Sequence, residues 1–289
     1  MRYTADREGH KWQESTGQDK FLEKLYGSAV GRCILRPLVS PVVSKLGGRI
    51  LDSRISVLAV EPFIRRNGIN REDYEEKEYS SYNDFFTRKL RQGAREMDMD
   101  ERHFISPCDC RLSVYPIEPQ MEVTIKNTCY TVGSLLRDER LAEHFKDGYL
   151  WVFRLSVDDY HRYIYVDNGR ESVHRRIPGV LHTVNPVAND VCPIYKENTR
   201  EYSLLKSEHF GTLLMMEVGA LMVGKIENRP VMSHVRRGQE KGNFAFGGST
   251  IIYMTQKDKV FPDMDILINS ADGIETKVQI GSRIGKGKN

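Results

Sequence analysis

The stretch Phe244-Ala245-Phe246-Gly247-Gly248-Ser249-Thr250-Ile251-Ile252-Tyr253 places two glycines directly before two hydroxyl residues, with apolar residues on both sides. One interpretation is a strand with a glycine bulge, in which the hydroxyls satisfy backbone groups. The other is chemical. Gly248 lacks a Cβ, so its carbonyl can be approached closely, and Ser249 supplies an oxygen nucleophile beside it. The chemical interpretation requires an activating base and an orienting acid elsewhere in the chain.

The composition limits the classes of protein to consider. A chain of 289 residues with 39% hydrophobic and 29% charged residues can form one large globular domain, or one domain with a helical extension. The net charge of +3 is too small to indicate nucleic-acid binding. The odd number of five cysteines favours a reducing compartment. We expect no secretory signal and no membrane-spanning helix, because no apolar run approaches the roughly 18 residues that spanning requires.

The N-terminal region has helical periodicity. Apolar residues from Phe21 to Val43 recur at helical spacing, with basic residues interleaved and prolines dividing the run. A further helix is predicted at Lys45 to Ile64, whereas residues 1–20 are polar and read as a loose arm. We therefore expect residues 1–80 to be a basic amphipathic region that associates with an anionic membrane. The alternative is that its apolar face packs on the body of the protein or on a partner subunit.

After Phe104 the pattern changes to short alternating segments with glycine punctuation. A helix starting at Tyr82 and stopped by Gly93 precedes this part, and another is predicted at Val132 to His144. We expect an α+β fold, in which the N-terminal amphipathic helices precede a mostly antiparallel β-sandwich or barrel-like body at residues 81–289. The predicted strands are Val123–Ile125, Tyr149–Leu155, Arg162–Val166, Thr212–Val218, Leu221–Ile226, Thr250–Thr255, Asp265–Ile268 and Lys277–Ile280.

Three residues are candidates for activating Ser249. His161 lies at the junction of two predicted strands, where a side chain can project into a pocket, and His182 is the second candidate base. Asp109 lies between two cysteines where a strand begins, an apolar setting in which a carboxylate should be paired. Asp109, His161 and Ser249 can form an orienter, base and nucleophile relay. The alternatives are structural histidines and an Asx-type turn at Asp109. No cluster has metal-ligand spacing, so we expect no metal.

Four motifs in order resemble those of phosphatidylserine decarboxylases, the pyruvoyl-dependent enzymes of phosphatidylethanolamine synthesis. The matching segments are Asn83–Leu90 (Asn-x-Phe-Phe-x-Arg-x-Leu), Ser106–Asp109 (Ser-Pro-x-Asp), Asp159–Arg162 (Asp-Tyr-His-Arg) and Gly248–Thr250 (Gly-Ser-Thr). The resemblance covers the chain from about residue 80 onward. Many members carry a second histidine three residues after the first, and this chain has Ile164 there. Either His161 serves both self-cleavage and decarboxylation, or His182 takes one of these roles; we favour His161 as the relay base.

The resemblance implies a proenzyme that cleaves itself between Gly248 and Ser249. The products would be a β chain of residues 1–248 and an α chain of residues 249–289, whose first residue becomes a covalent pyruvoyl group. That ketone would condense with the lipid amine and accept the electrons left by CO₂ loss, and His161 would return the proton.

The resemblance also implies partners and a location. The substrate would be phosphatidylserine in an anionic membrane surface, and the protein would be peripheral on the cytoplasmic face of the cell membrane. The two cleavage chains would form a heterodimer that further dimerises.

Two other functions stay open from the sequence. One is a pyruvoyl decarboxylase of a soluble amino acid, which the Asp-Tyr-His-Arg match and the amphipathic N-terminus disfavour. The other is a non-catalytic carrier or lipid-binding β module, because Gly273 to Gly281 has the strand-turn-strand rhythm of lipoyl and sugar-phosphotransfer domains. A carrier would stay one chain, so the internal cut distinguishes these functions.

Overall fold

The computed structural model describes residues 3–13, 25–26, 28, 31, 33, 35, 39–125, 128–183, 193–220, 225–230, 233–245, 247 and 249–288. The α-helices with described bounds are α1 (Pro41–Leu51), α2 (Val60–Asn67), α3 (Tyr82–Phe86), α4 (Val132–Leu136), α5 (Glu139–Ala142), α6 (Ile194–Glu197) and α7 (Met264–Ala271). Short 3₁₀ helices cover Arg54–Ala59, Arg71–Asp73 and Glu143–Phe145.

The strands are β1 (Tyr3–Ala5), β2 (Lys11–Gln13), β3 (His103–Ile105), β4 (Cys110–Pro116), β5 (Glu122–Ile125), β6 (Thr128–Thr131), β7 (Tyr149–Leu155), β8 (Arg162–Ile164), β9 (Gly169–Glu171), β10 (Arg175–Ile177), β11 (Arg200–Ser207), β12 (Thr212–Val218), β13 (Ile226–Asn228), β14 (Glu240–Phe244), β15 (Ser249–Thr255), β16 (Val260–Pro262), β17 (Glu275–Val278) and β18 (Arg283–Gly287).

The main sheet runs in the order β10-β11-β12-β15-β7-β4-β17-β1-β2, with β9 also paired to β11. Its neighbours pair antiparallel except β1 and β17, which are parallel. Smaller sheets are formed by β13-β14-β8, by β16-β18-β3 and by β5-β6. Among the described strands the main sheet is an open path, not a closed barrel. The predicted α+β class with a mostly antiparallel body is confirmed.

The central strands carry the main core. Every residue of β15 and all but the first of β7 is buried, so both faces of the sheet are covered here. Trp151, Phe153 and Tyr253 are fully buried, and the rings of Phe153 and Tyr253 meet edge to face at 5.4 Å. Burial of such side chains contributes about 1.5–3 kcal/mol each. Ser249, the first residue of β15, is therefore attached to a firmly packed part of the molecule.

Helices α1 to α3 surround a second, smaller core. Val60 and Ile64 of α2 pack there with Tyr82, Phe85 and Phe86 of α3. The helix predicted at Lys45–Ile64 is confirmed in type, although a 3₁₀ segment divides it into α1 and α2. The second core connects the N-terminal helices to the segment that leads into the β body.

The helix predicted to reach Gly93 ends at Phe86 instead. Beyond that point the backbone bonds to other parts of the molecule: the Glu75 N–H donates to the Lys89 carbonyl at 2.9 Å. The Arg162 guanidinium donates to the carbonyl of the residue that follows α3, at 2.6 Å. Tertiary hydrogen bonds thus replace the helical ones, which no local propensity reveals.

Two other predictions are wrong. Within the expected loose arm, β1 and β2 form a hairpin, and β1 pairs with the edge of β17. The predicted strand Asp265–Ile268 belongs to helix α7, which packs on β4 and β17 and buries Ile266. A short apolar run does not distinguish a strand from a buried helix, and a free sheet edge is visible only once the sheet is assembled.

Candidate active site

Two loops meet beside the first residue of β15. Strand β7 ends at Leu155, which pairs with Ser249, and the loop that follows β7 carries His161. Strand β14 ends at Phe244, whose N–H donates to the His161 carbonyl at 3.0 Å. The connection from β14 to β15 therefore begins at Phe244, next to His161, and ends at Ser249, next to Leu155. The fold brings the segments of His161 and Ser249 together from distant parts of the sequence.

Ser249 is fully buried, and its Oγ has no hydrogen-bond partner in the described part of the chain. An unsatisfied buried hydroxyl costs about 1–3 kcal/mol, so it calls for an explanation other than stability. Gly247 has a φ of 121°, a backbone conformation that favours glycine. Gly248, the predicted partner of Ser249 in the cleaved bond, lies outside the described residues.

His161 is fully buried, and its Nδ1 lies 2.9 Å from the carbonyl oxygen of Asp159. A carbonyl only accepts, so Nδ1 carries the proton, and in the neutral ring Nε2 has a free lone pair. Burial lowers the pKa of His161 to about 3, and the charge of Arg88 acts in the same direction, so the ring is neutral at physiological pH.

The Nε2 atom of His161 makes no hydrogen bond of ordinary geometry to any described residue. The backbone of Gly247 nevertheless lies close enough to favour the protonated ring, which acts to raise the pKa of His161 against the larger effect of burial. Gly247 is two residues before Ser249. A neutral base with a free lone pair thus lies next to the connection that leads to an unpartnered serine. We call Asp159, His161, Gly247 and Ser249 the loop cluster.

Asp159 holds the His161 loop in place. Its carboxylate accepts hydrogen bonds from Arg111 Nη1 at 2.9 Å and from the Ser156 N–H at 2.7 Å. Burial raises the pKa of Asp159 to about 7, and the charge of Arg111 opposes this shift. Asp159 was not among the predicted site residues, although its place two residues before His161 in the Asp-Tyr-His-Arg motif is a signal for a positioning role.

Asp109 is paired as expected, but with other groups than His161. Its Oδ2 accepts from the guanidinium of Arg95 at 3.1 and 3.3 Å, and its Oδ1 accepts from the Ile280 N–H at 2.7 Å. No hydrogen bond joins its carboxylate to His161 in the described structure. The charge of Asp109 does contribute to raising the pKa of Asp159. Asp109 therefore acts on the loop cluster through electrostatics, while the orienting hydrogen bond comes from the Asp159 carbonyl.

The second candidate base, His182, lies in a different setting. Its Nδ1 is 3.3 Å from the Tyr26 hydroxyl, and its Nε2 is 3.4 Å from the Glu197 carboxylate. The Tyr26 hydroxyl also accepts from the Thr183 N–H at 3.2 Å, so this group ties the N-terminal segment to the body. Burial lowers the pKa of His182, and Glu197 opposes the shift. Both ring nitrogens of His182 therefore have side-chain neighbours, unlike Nε2 of His161.

Comparison with known proteins identifies the family. The family model described as phosphatidylserine decarboxylase matches residues 82–286, which include Asp109, His161 and Ser249. A protein of Clostridium acetobutylicum named phosphatidylserine decarboxylase proenzyme 2 is 44% identical over 275 residues, covering 95% of this chain and 93% of the relative. The phosphatidylserine decarboxylase proenzymes of Clostridium novyi and Clostridium tetani are 38% and 37% identical over 278 residues, covering 94% of each chain. This chain belongs to the phosphatidylserine decarboxylase family.

Proposed function

We propose that this chain converts phosphatidylserine to phosphatidylethanolamine and CO₂ through a pyruvoyl group that it makes from Ser249. Family membership supports the reaction and the substrate. The observation that carries the proposal for the site is the loop cluster, where a neutral His161 with an unpartnered Nε2 accompanies an unpartnered, fully buried Ser249 hydroxyl.

The residues at this position fit a ketone formed in place. Ser249 pairs with Leu155 of β7, and the next residue, Thr250, pairs with Val218 of β12, so a new N-terminus here would stay fixed between two strands. For the same reason the two cleavage chains would stay one folded unit. The ketone, when present, supplies an electron sink for the carbanion that CO₂ loss leaves.

In the cleavage step, His161 Nε2 accepts the proton of Ser249 Oγ as this oxygen bonds to the Gly248 carbonyl carbon. The Gly248–Ser249 C–N bond breaks, and the leaving amine takes the proton. The resulting ester loses the Ser249 Cα proton, and its Cβ–Oγ bond breaks to release a carboxylate on Gly248. One water then replaces the amine, which leaves as ammonia. The atoms balance with one water consumed and one ammonia released.

We assign both proton transfers to His161. The Asp159 carbonyl fixes the tautomer of its ring, so the same Nε2 atom serves cleavage and later returns a proton to carbon. His182 is held by Tyr26 and Glu197, which favours a structural role for it. Because Ser249 is fully buried, the proposal requires the connection before it to move after the cut to admit the lipid amine.

The function is tested by comparing Ser249→Ala with Thr250→Val in a decarboxylation assay on phosphatidylserine vesicles. Both hydroxyls are buried and unpartnered, so the second variant is a matched control. We expect the Ser249 variant to stay one chain without activity, and the Thr250 variant to cleave and react. Activity in the uncut Ser249 variant would refute the proposal. A wild-type enzyme that decarboxylates free serine in preference to the lipid would favour the soluble substrate.

A second part of the proposal concerns the membrane. Val42, Leu46 and Ile50 lie at i, i+4 and i+8 on α1 and are 59–74% exposed, and Ile55 and Leu58 beyond it are each 79% exposed. No helix in the described ranges is long and apolar enough to cross a bilayer. Basic residues lie beside this face, among them the exposed Arg49 and Arg54. We propose that this face lies on the anionic cytoplasmic surface of the cell membrane, where the substrate resides.

The membrane contact is tested by sedimentation with vesicles that contain phosphatidylserine. The double variant Ile55→Asp, Leu58→Asp should lose most of its binding, because two charges enter the apolar face. Val173→Asp is the matched control, since Val173 is also 79% exposed but lies beside β9 and β10. Equal binding of the double variant and the control would assign the face to protein packing. The further dimer implied by the sequence resemblance stays a prediction.

A further inference from the structure

Arg88 is a buried cation without an acidic partner among the described residues. The residue is only 3% exposed, and neither Nε nor Nη1 of its guanidinium has a hydrogen-bond partner among the described residues. Its Nη2 makes long contacts, at 3.2 Å to the Tyr74 hydroxyl and at 3.4 and 3.5 Å to the carbonyls of Asp158 and Asp159. The guanidinium carbon lies 4.3 Å from the centre of the Tyr74 ring, within the range of a cation–π contact.

The other buried cations in the described ranges are neutralised or fully hydrogen-bonded. Arg154 donates to Glu275 at 2.5 and 3.0 Å, and Lys241 donates to Glu217 at 2.8 Å. Arg237 has no acidic partner within ion-pair distance in the described structure, but its three guanidinium nitrogens each donate to a backbone carbonyl at 2.8–3.0 Å. Arg88 has neither arrangement. A buried charge in this state is strongly unfavourable unless a ligand completes it.

Arg88 lines an open pocket of about 170 Å³, together with Lys77, Lys89 and Arg162. The acidic residues Glu75 and Asp84 also line the pocket, and Lys77 binds Asp84 at 2.6 Å. Arg88 therefore lies at the wall of this pocket and has two donors on neighbouring nitrogens, Nε and Nη1, that no described residue accepts from. Such a fork matches the oxygens of a phosphate or a carboxylate.

Arg88 lies close to the loop cluster. Arg88 Nη2 and His161 Nδ1 are both within 3.5 Å of one atom, the Asp159 carbonyl oxygen. The ring of Phe86, two residues before Arg88, lies 4.2 Å from the ring of His161. In the substrate, only two carbons and one ester oxygen separate the reacting amine from phosphorus. Arg88 and His161 thus share a neighbour, and a lipid phosphate held by Arg88 would have its amine three atoms away, on the side of the loop cluster.

We propose that Arg88 binds the phosphodiester of the lipid headgroup through Nε and Nη1. The inference rests on the proposed function and adds the residue that recognises the headgroup. The phosphodiester is the better ligand because it is unchanged by the reaction. Pairing the guanidinium with the substrate carboxylate would stabilise the group that must leave as CO₂, which opposes catalysis.

The test compares wild type with Arg88→Met, Arg88→Lys and the control Arg91→Met, whose cation is exposed on the same segment. We expect the Arg88→Met protein to cleave itself and to be at least as heat-stable as wild type, since an uncompensated buried charge is removed. Its KM for phosphatidylserine should rise by roughly 10- to 100-fold, the loss of a charge-assisted pair of hydrogen bonds. Arg88→Lys should lie between, and Arg91→Met should match wild type.

Two soluble probes separate phosphate from carboxylate. Glycerophosphoethanolamine keeps the phosphodiester and lacks the carboxylate. Its inhibition constant should therefore rise in Arg88→Met by the same factor as the KM for phosphatidylserine. Free L-serine has the carboxylate and no phosphate, so its inhibition should not change. The reverse pattern would assign Arg88 to the carboxylate and overturn the proposal. An unchanged KM with a lower melting temperature would make Arg88 structural.

Failure of the two proposals is distinguishable. A wild-type protein that neither cleaves nor decarboxylates refutes the proposed function. Calorimetric titration of wild type and Arg88→Met with glycerophosphoethanolamine still tests Arg88 in that case, because it requires no turnover. Equal affinity of the two proteins in that titration would overturn the phosphate site.

Discussion

The β body contains two clusters of polar side chains, and they differ in whether the members have hydrogen-bond partners. The charge network (Glu171, His174, Glu201, Glu217 and Lys241) pairs its charges: Lys241 Nζ lies 2.8 Å from Glu217 and 3.7 Å from Glu171. His174 bonds Glu171 at 3.0 Å through Nε2 and Glu201 at 3.2 Å through Nδ1. In the loop cluster, by contrast, Ser249 Oγ and His161 Nε2 have no partner among the described residues.

The two histidines show the consequence for acid–base behaviour. The carboxylates of Glu171 and Glu201 raise the pKa of His174 to about 9. Burial without a charged partner lowers the pKa of His161 to about 3. At neutral pH one ring is a cation that stabilises its neighbours, and the other is a neutral base with a free lone pair. The charge network stabilises the fold, whereas the loop cluster leaves a neutral base and a nucleophilic hydroxyl without partners, which is the arrangement that the proposed cleavage requires.

The largest difference between the loop cluster and the charge network is expected in the rate of self-cleavage, when His161 is replaced. In His161→Gln the cleavage rate should fall by about 10²–10⁴-fold, because no base takes the Ser249 proton. His182→Gln should cleave at the wild-type rate. A time course of chain separation on a denaturing gel, started from freshly translated protein, measures both. Normal cleavage in the first variant together with failure in the second would transfer the base to His182.

The charge network should instead show its effect in stability. Lys241→Met leaves the buried Glu217 without its cation, while Glu171 keeps His174, and should lower the free energy of unfolding by about 3–5 kcal/mol. The exposed Lys257, which pairs with Asp147 at 3.0 Å, gives the control, and Lys257→Met should change little. Urea unfolding in the uncleavable Ser249→Ala background measures the difference. Unchanged stability of the Lys241 variant would show that the network contributes no net stability.

The smallest effect is in the pH dependence of stability, where the two histidines should have opposite signs. His174 has a raised pKa, so its contribution is complete below pH 6.5 and is lost as pH rises through about 9. His161 has a lowered pKa, so wild type loses stability as pH falls from 6.5 toward 3.

Unfolding of Ser249→Ala, alone and combined with His174→Gln or His161→Gln, between pH 4.5 and 10 tests these signs. Each difference from the parent should change by about 1–3 kcal/mol over its range. Differences that change in the same direction with pH would contradict the assigned environments.

The sequence predicted the elements whose pattern is local. Strands β7 and β12 have the predicted bounds, because each is an apolar run bounded by turns. His161 and Ser249 could be proposed because the side chains themselves carry the chemistry. The motif pointed to Asp159, but not to the way it acts on the His161 ring, because that contact is made by a backbone carbonyl, which every residue possesses. Arg88 was missed because the absence of a partner is a property of the assembled structure.

The most direct test of the account is the intact mass of the purified protein. We predict two chains, one of residues 1–248 and one that begins at residue 249 and is lighter by one ammonia than the unmodified peptide 249–289. A single unbroken chain that decarboxylates phosphatidylserine, or an active small chain that begins with an ordinary serine, would contradict the claim that Ser249 becomes the reactive ketone.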